Sequence, residues 1–115
     1  MNSIKMSFLE PAWNCQEEIA FRGCLVCDVL SFAIAHAQKD QIWITHHIHP
    51  NIIAVALLKE LAAVIIVGGG KPDPETVRRA EAEGIPLFAS GKQAYDVVKI
   101  IAAHDKDADE ASADE

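Results

Sequence analysis

The chain has 115 residues, of which half are apolar, 23% are charged and 6% are aromatic. This length fits one compact domain, and this composition excludes intrinsic disorder for the body of the chain. The formal net charge is −7, but the segment from Asp105 to Glu115 contains six acids and one base, which leaves −2 for residues 1–104. A nearly neutral body has too few cations to neutralise a phosphate backbone, so we expect no nucleic-acid partner. We expect residues 1–104 to form a single domain with a poorly defined start over residues 1–18, and residues 105–115 to be a disordered acidic tail.

The sequence also indicates the cellular compartment. No stretch approaches the roughly 20 consecutive apolar residues of a membrane span, and the N-terminus lacks the basic-then-apolar order of a secretory signal. The three cysteines, Cys15, Cys24 and Cys27, are an odd number in a chain with a substantial core, which favours reduced thiols over a disulfide framework. We therefore expect a cytoplasmic protein with no membrane partner.

The first 18 residues show no sustained hydrophobic period, so we expect at most one short strand there, near Lys5–Leu9. The apolar run Cys24–Cys27 is short enough for a buried strand, and Asp28 follows it where a helix cap belongs. The helical spacing of apolar residues then predicts a helix over Val29–Gln38, and the next apolar run predicts a short strand over Gln41–Thr45.

A second helix is predicted over Pro50–Leu61, with the proline in its first turn. Because this helix is apolar nearly all round, we expect it to be buried on two sides, by the sheet and by another subunit or helix. The segment Ala62–Val67 is almost purely aliphatic and rich in β-branched residues, as in a parallel strand covered on both faces. We expect it to be the central strand.

The rest of the chain repeats the alternation. Asp73-Pro74-Glu75 begins a helix that ends at Gly84, and Ile85–Ala89 indicates a strand. Ser90-Gly91-Lys92-Gln93 has the form of a capping box, which starts a last helix that runs to about Ala103. Four strand-helix units with short connections predict a parallel α/β sheet with right-handed crossovers.

The strand-to-helix junctions are the places where chemistry is expected, because ligands of open parallel sheets bind outside the carboxyl ends of the strands. The four predicted junctions are Asp28, residues 45–51, residues 68–73 and Ser90-Gly91. They form either a shallow ligand-binding surface or a set of helix caps and turns. We favour caps and turns, because helix capping alone accounts for Asp28, Asp73 and Ser90. The candidate ligand-binding residues are Thr45, His46, His49, Asn51, Gly68, Gly69, Gly70, Lys71 and Ser90.

Two groups of potential metal ligands stand out. In extended chain His46 and His47 point to opposite sides, so with His49 they cannot easily reach one ion, and loop packing or a helix cap at His49 is favoured over zinc or iron binding. Cys24 and Cys27 have a redox or metal spacing but precede the predicted cap, and in a strand they face opposite sides, which favours buried small apolar residues. We predict neither a metal nor a cofactor.

The glycine triplet followed by Lys71 suggests a phosphate-binding loop, but Ile65 and Pro72 occupy two positions that this motif requires to be different. A tight turn with positive φ is the better interpretation. The sequence offers no paired acid and base and no nucleophile with its base, so no catalytic residues are predicted.

Five strings carry a family resemblance in their order: Asp28-Val29-Leu30-Ser31, Trp43-Ile44-Thr45, His49-Pro50-Asn51-Ile52-Ile53-Ala54-Val55-Ala56, Lys71-Pro72-Asp73 and Gly84-Ile85-Pro86-Leu87. Over roughly Arg22–Ala103 the chain resembles the DRTGG domain family. The Asp-Arg-Thr-Gly-Gly string itself does not occur, and the nearest match is Val67-Gly68-Gly69-Gly70.

The resemblance implies a three-layer α/β module with a mainly parallel sheet of about four or five strands and four helices, similar to the N-terminal domain of HPr kinase/phosphorylase but without the kinase domain. It also implies a non-catalytic regulatory or assembly unit, and stand-alone members are associated with hydrogenase or NADH-dehydrogenase-like redox complexes. We expect a homodimer that uses either the helix Pro50–Leu61 or the exposed edge of the sheet. The alternative is a small-ligand sensor that binds an anionic metabolite or nucleotide at the carboxyl ends of the strands.

Overall fold

Strands and helices alternate from residue 24 onward in the computed structural model, which describes residues 1–106. This part of the chain forms β1 Asn2–Lys5, β2 Glu10–Pro11, β3 Glu18–Phe21, β4 Cys24–Val26, α1 Leu30–His36, β5 Ile42–Thr45, α2 Asn51–Leu58, β6 Ala63–Ile66, α3 Pro74–Glu83, β7 Leu87–Ala89 and α4 Ala94–Ala102. The predicted sequence of four strand-helix units is confirmed. None of the described helices has the length and hydrophobicity that crossing a bilayer requires.

The main sheet has five strands in the order β2-β7-β6-β5-β4. Strands β4 to β7 are parallel to one another, and the short β2 adds antiparallel to β7 at one edge. Strand β6 lies at the centre as predicted, with all four of its residues buried. A separate two-stranded antiparallel sheet is formed by β1 and β3. The prediction of a mainly parallel sheet with four helices is therefore confirmed.

The two faces of the main sheet carry two separate apolar cores, which makes three layers. Alternate residues of a strand point to opposite faces, so Trp43 and Val64 pack with helices α1, α2 and α3, whereas Ile44 and Ile65 pack with α4 and the β1-β3 sheet. The side chains of both groups are fully buried. Burial of this apolar surface is the main stabilising contribution to the fold.

The start of the chain differs from the prediction of at most one short strand. Three strands form there, and β1 pairs antiparallel with β3 from Asn2 opposite Phe21 to Lys5 opposite Glu18. Both strands alternate buried and exposed residues over only four positions, with Ile4 and Ile19 facing the core. An alternation of buried and exposed residues that lasts for only four positions is too short to be recognised in a sequence.

The boundary at residue 104 also differs. Asp105 is buried, and its carboxylate accepts a hydrogen bond of 3.0 Å from the side-chain amide of Asn2. The backbone N–H of Lys106 donates to the amide oxygen of Asn2, also at 3.0 Å. The first two residues of the predicted acidic tail therefore belong to the fold. Residues 107–115 lie outside the described residues.

Helix α2 is shorter than predicted, and Pro50 is its N-cap rather than its first helical residue. Its neighbours on the sheet face are α1 and α3. These helices and the sheet together bury Ile52 and Ile53, so an apolar helix is explained within one chain. Among the described residues of α2, the exposed large apolar side chains are Leu57 and Leu58 at its C-terminal end.

Candidate functional site

The histidine-rich bend after β5 lies directly against the glycine triplet after β6. A Cβ added to Gly68 would stand 2.9 Å from Cδ2 of His46, and one added to Gly70 would stand 3.3 Å from a methyl carbon of Ile48. Gly68 has a φ of +81°, a conformation that favours glycine. The sequence-based expectation that these two junctions share one end of the sheet is confirmed.

The glycine triplet also contacts the junction after β7. The backbone N–H of Gly68 donates to the carbonyl of Lys92 at 2.9 Å, and that of Gly69 donates to the carbonyl of Ser90 at 3.0 Å. Three junctions therefore meet around the triplet, and hydrogen bonds from Thr45 and His46 to Asp28 join the fourth junction to them. We call the surface formed by Asp28, residues 45–51, residues 68–73 and residues 90–92 the junction site.

Asp28 does not cap α1, which corrects the prediction. Within the described structure the N-cap of α1 is Val29, and no side chain donates or accepts a capping bond there. Instead, one carboxylate oxygen of Asp28 accepts hydrogen bonds from the Thr45 hydroxyl at 2.9 Å and the His46 backbone N–H at 2.7 Å. The other oxygen lies 3.0 Å from Nδ1 of His46. The carboxylate of Asp28 therefore accepts from three donors in Thr45 and His46 instead of from the first N–H groups of α1.

The environment of Asp28 fixes its charge and orients the neighbouring imidazole. Burial raises the pKa of this carboxyl, but the hydrogen bonds from the His46 N–H, the Thr45 hydroxyl and the His46 ring outweigh it, so the pKa lies below its ordinary value. A carboxylate only accepts, so Nδ1 of His46 carries the proton and Nε2 faces Gly68. The ring of His47 in turn donates from Nε2 to the carbonyl of Asp28.

The register of the sheet is the signal that could have revealed this role. Strand β4 pairs in parallel with β5 at a constant offset, with Val26 opposite Ile44. Two residues further along both strands, the same offset places Asp28 beside His46. Sequence reasoning missed the pair because a cap and a cross-strand acceptor use the same residue types.

The remaining predicted site residues are His49, Asn51 and Lys71, which lie in or beside the junctions after β5 and β6. Nδ1 of His49 is 3.8 Å from a carboxylate oxygen of Asp73, and both side chains are solvent-accessible. Asn51 is the exposed first residue of α2. Lys71 borders a shallow depression together with Glu10 and Pro11 of β2.

The other two predicted caps have different outcomes, because Ser90 is not the N-cap of α4 whereas Asp73 is the N-cap of α3. The hydroxyl of Ser90 accepts the backbone N–H of Lys92 at 3.0 Å and so closes a turn, whereas the N-cap of α4 is Gln93. Asp73 does hold the N-cap position of α3, but in the described part of the chain its side chain makes no capping hydrogen bond. Of the three predicted caps in the described junctions, Asp28, Asp73 and Ser90, only Asp73 occupies the N-cap position of its helix.

The potential metal ligands do not converge. Within residues 1–106 no group of three or more His, Cys, Asp or Glu side chains is arranged to hold a metal ion. Cys24 and Cys27 are both half-buried and pack against the cores on opposite faces of the sheet, as expected for strand residues three apart. Burial, with a contribution from the charge of Asp105, raises the pKa of the Cys24 thiol, which keeps it protonated.

A second surface lies at the free edge of the sheet, beside β4 and α1. It is a shallow groove lined mainly by apolar side chains, and Val26, Val29 and Phe32 are 49%, 59% and 46% exposed there. The ring of Phe32 stacks at a tilt on that of His36, with 4.3 Å between centroids. We call this surface, lined by Val26, Cys27, Val29, Ser31, Phe32, Ala35 and His36, the edge groove.

These features define a small three-layer α/β domain whose polar loops gather at the carboxyl ends of its parallel strands. Residues 24–104 match the DRTGG domain, so the chain belongs to the DRTGG domain family. The resemblance seen in the sequence is confirmed.

The fold is similar to a solved structure, the crystal structure of the CBS and DRTGG domains of the regulatory region of Clostridium perfringens pyrophosphatase complexed with an activator, diadenosine tetraphosphate. The TM-score is 0.65 at 15% sequence identity, which is a likeness of fold. The alignment covers 82% of this chain but 41% of that one, so this chain spans less than half of the similar structure. Comparison with curated proteins gives no significant match.

Proposed function

We propose that this protein is a non-catalytic regulatory module that works as a homodimer, held together at the edge groove. The observation that carries the proposal is the cluster of exposed apolar side chains at Val26, Val29 and Phe32. Contiguous apolar surface of this kind marks interaction sites, whereas single exposed apolar residues are ordinary. The similar pyrophosphatase structure comes from the regulatory region of that enzyme, which supports a regulatory role for a chain of the same fold.

The two edges of the main sheet favour this location. At one edge β2 is a two-residue strand with the sequence Glu10-Pro11, and a charge and a proline are common means of blocking further strand pairing. At the other edge β4 has the sequence Cys24-Leu25-Val26, which contains neither. Among the described strands β4 pairs with β5 alone, so β4 is an edge strand of the sheet.

A second copy of this chain is the occupant we propose. None of the groove's seven lining residues is Asp, Glu, Lys or Arg, so two copies meet there without like-charge repulsion despite the net charge of −7. A two-fold axis beside β4 would pair β4 antiparallel with its copy and bring Val29 and Phe32 of each chain against the other. The same patch then serves both partners.

Sedimentation at micromolar concentration tests this proposal. We expect a dimer for the wild type and a monomer for Phe32→Asp, because the substitution places a charge in the apolar contact. Leu58→Asp is the matched control, since Leu58 is 67% exposed on α2, the other contact surface that the sequence suggested. A monomeric wild type, or dissociation by Leu58→Asp instead of Phe32→Asp, would refute the edge groove as the contact.

Family membership supports two further parts of the proposal, a cytoplasmic location and a partner in a hydrogenase or NADH-dehydrogenase-like redox complex. Co-expression with the hydrogenase-like subunit tests the partner. We expect wild-type protein to co-elute with it on gel filtration at a stoichiometry of two chains of this protein per complex. Elution as separate species would count against the association.

The junction site supports a second candidate function, a sensor for an anionic metabolite or nucleotide. The observation that favours it is the oriented ring of His46 beside the glycine triplet, next to the N-termini of α2 and α3, whose helix dipoles favour anions. The similar structure is a complex with a dinucleotide activator. No metal or catalytic residue is part of this proposal.

A thermal-shift screen of nucleotides and phosphorylated metabolites tests the sensor. Ligands that bind the folded state raise the melting temperature in a concentration-dependent way. We expect the shift to be lost in His46→Ala and Asn51→Ala and retained in Tyr95→Ala, which changes an exposed residue of α4. An equal shift in all variants would place the ligand elsewhere.

A further inference from the structure

We propose that Asp28 couples the junction site to the edge groove, so that a change at His46 alters self-association of the chain. This inference rests on the proposed homodimer and concerns its regulation. Its basis is the position of one residue that belongs to both surfaces. Asp28 holds Thr45 and His46 with its carboxylate, and it lies in the short link between Val26 and Val29, two exposed side chains of the groove.

The chain before Asp28 is fixed to the sheet. The backbone N–H of Cys27 donates to the carbonyl of Ile44 at 3.2 Å, and the carbonyl of Cys27 accepts the ring N–H of the fully buried Trp43 at 3.0 Å. Cys27 is therefore held to β5 on the N-terminal side of Asp28, and Val29 and α1 follow on its C-terminal side.

Helix α1 is short and buries little of its surface. It has seven residues, and among them Ala33 alone is buried. No side-chain cap fixes its start in the described structure, and a helix this short has little stability of its own. The orientation of α1, and with it the position of Phe32 in the groove, therefore depends on the hydrogen bonds that hold Asp28.

Asp28 is joined to the histidine bend by four hydrogen bonds. The carboxylate accepts three hydrogen bonds from Thr45 and His46, and the Asp28 carbonyl accepts one from the ring of His47. A ligand that engages Nε2 of His46 shifts the ring whose Nδ1 binds Asp28. Coupling of this kind is reciprocal, because a ligand that changes dimer affinity must change its own affinity by the same factor on dimerisation.

The dissociation constant of the dimer, measured by sedimentation, tests the coupling without an identified ligand. We expect Asp28→Ala and His46→Ala each to weaken the dimer about tenfold, a typical coupling magnitude, although neither side chain lines the groove. The double variant should be no weaker than Asp28→Ala alone, because both substitutions break the same link. Asp28→Asn, which keeps an acceptor for Thr45 and His46, should retain most of the affinity.

Asp73→Ala is the matched control, because Asp73 faces His49 at the next junction and stands at the N-cap of α3, not before α1. Hydrogen exchange of the α1 amides gives a second readout that does not need a dimer. We expect faster exchange at Ala33 and Ala37 in Asp28→Ala than in Asp73→Ala. The N–H of Ala33 donates to the carbonyl of Val29, and the N–H of Ala37 donates to the carbonyl of Ala33.

The outcomes separate this inference from the proposed function. If Phe32→Asp dissociates the dimer while Asp28→Ala behaves as Asp73→Ala does in both measurements, the homodimer stands and the coupling is refuted. If additive losses are found for Asp28→Ala and His46→Ala, the two residues act independently and the coupling is also refuted. If Phe32→Asp has no effect, the proposed contact fails, and exchange in α1 alone decides whether Asp28 controls that helix.

Discussion

The imidazole of His46 occupies the space in which any side chain at position 68 would begin, because a Cβ on Gly68 would lie 2.9 Å from its Cδ2. The glycine after the central strand is therefore required by its neighbour as well as by its φ of +81°. The same contact brings the histidine bend to the centre of the junction site.

Substitution of the glycine triplet separates these two requirements. Gly69 has a φ of +88°, but a Cβ there would meet nothing within 4 Å. Gly69→Ala should cost about 1 kcal/mol of unfolding free energy from backbone strain, whereas Gly68→Ala should cost roughly 3 kcal/mol because a clash is added. Urea denaturation measures both. In a His46→Ala background the two glycine substitutions should cost the same, and a persistent difference would mean that the clash is not with His46.

The carboxyl of Asp28 should make folding depend on pH in the acid range. Because its pKa is lowered in the folded state from a reference value of 3.8, it contributes stability above that value, and this contribution is lost as the pH falls through the folded-state pKa. The side chain is half exposed, so the effect is small and salt-sensitive. The difference in unfolding free energy between the wild type and Asp28→Asn should shrink between pH 5 and pH 3. A difference that stays constant over this range would show that the charge of Asp28 is not stabilising.

The two tryptophans provide a test of the core. Trp43 is fully buried and its ring N–H donates to the carbonyl of Cys27, whereas Trp13 is half-buried and donates to the carbonyl of Ile85 at 2.9 Å. Both substitutions to Phe remove one hydrogen bond, but a larger cavity is left at Trp43. We expect a loss of about 3 kcal/mol for Trp43→Phe and about 1 kcal/mol for Trp13→Phe, measured by denaturation followed by circular dichroism. Equal losses would contradict the difference in burial.

The contact between the start of the chain and the end of α4 is testable through Asn2. Asn2→Ala removes the side-chain amide that binds Asp105 and Lys106, leaving the buried Asp105 carboxylate without that donor. We expect a loss of about 1–3 kcal/mol in unfolding free energy. Ser3→Ala, at an exposed neighbouring position, is the control and should be nearly neutral. Matching effects of both variants would show that the contact contributes little.

The sequence was informative where local chemistry decides the structure. Gly84 ends α3 as predicted, the structure adding that it does so in a left-handed conformation, and the aliphatic segment around Val64 is the central strand. The meeting of the histidine bend with the glycine triplet followed from the parallel order of the strands.

Features that depend on contacts between distant segments were missed. The acceptor role of Asp28 requires the register between β4 and β5, and the burial of Asp105 requires Asn2 at the other end of the chain. The apolar helix α2 suggested a subunit contact or a second helix, and its packing between α1 and α3 explains it within the chain. Patterns within one segment cannot distinguish these alternatives, because each depends on which other segment packs against it.

The most direct test of the proposed homodimer is an isotope-filtered NOE experiment on a mixture of labelled and unlabelled chains, which detects contacts between copies alone. We predict intermolecular contacts from the methyl groups of Val26 and Val29 to the ring of Phe32 in the other copy. Intermolecular contacts confined to Leu57 and Leu58, or none at concentrations where sedimentation shows a dimer, would contradict assembly through the edge groove.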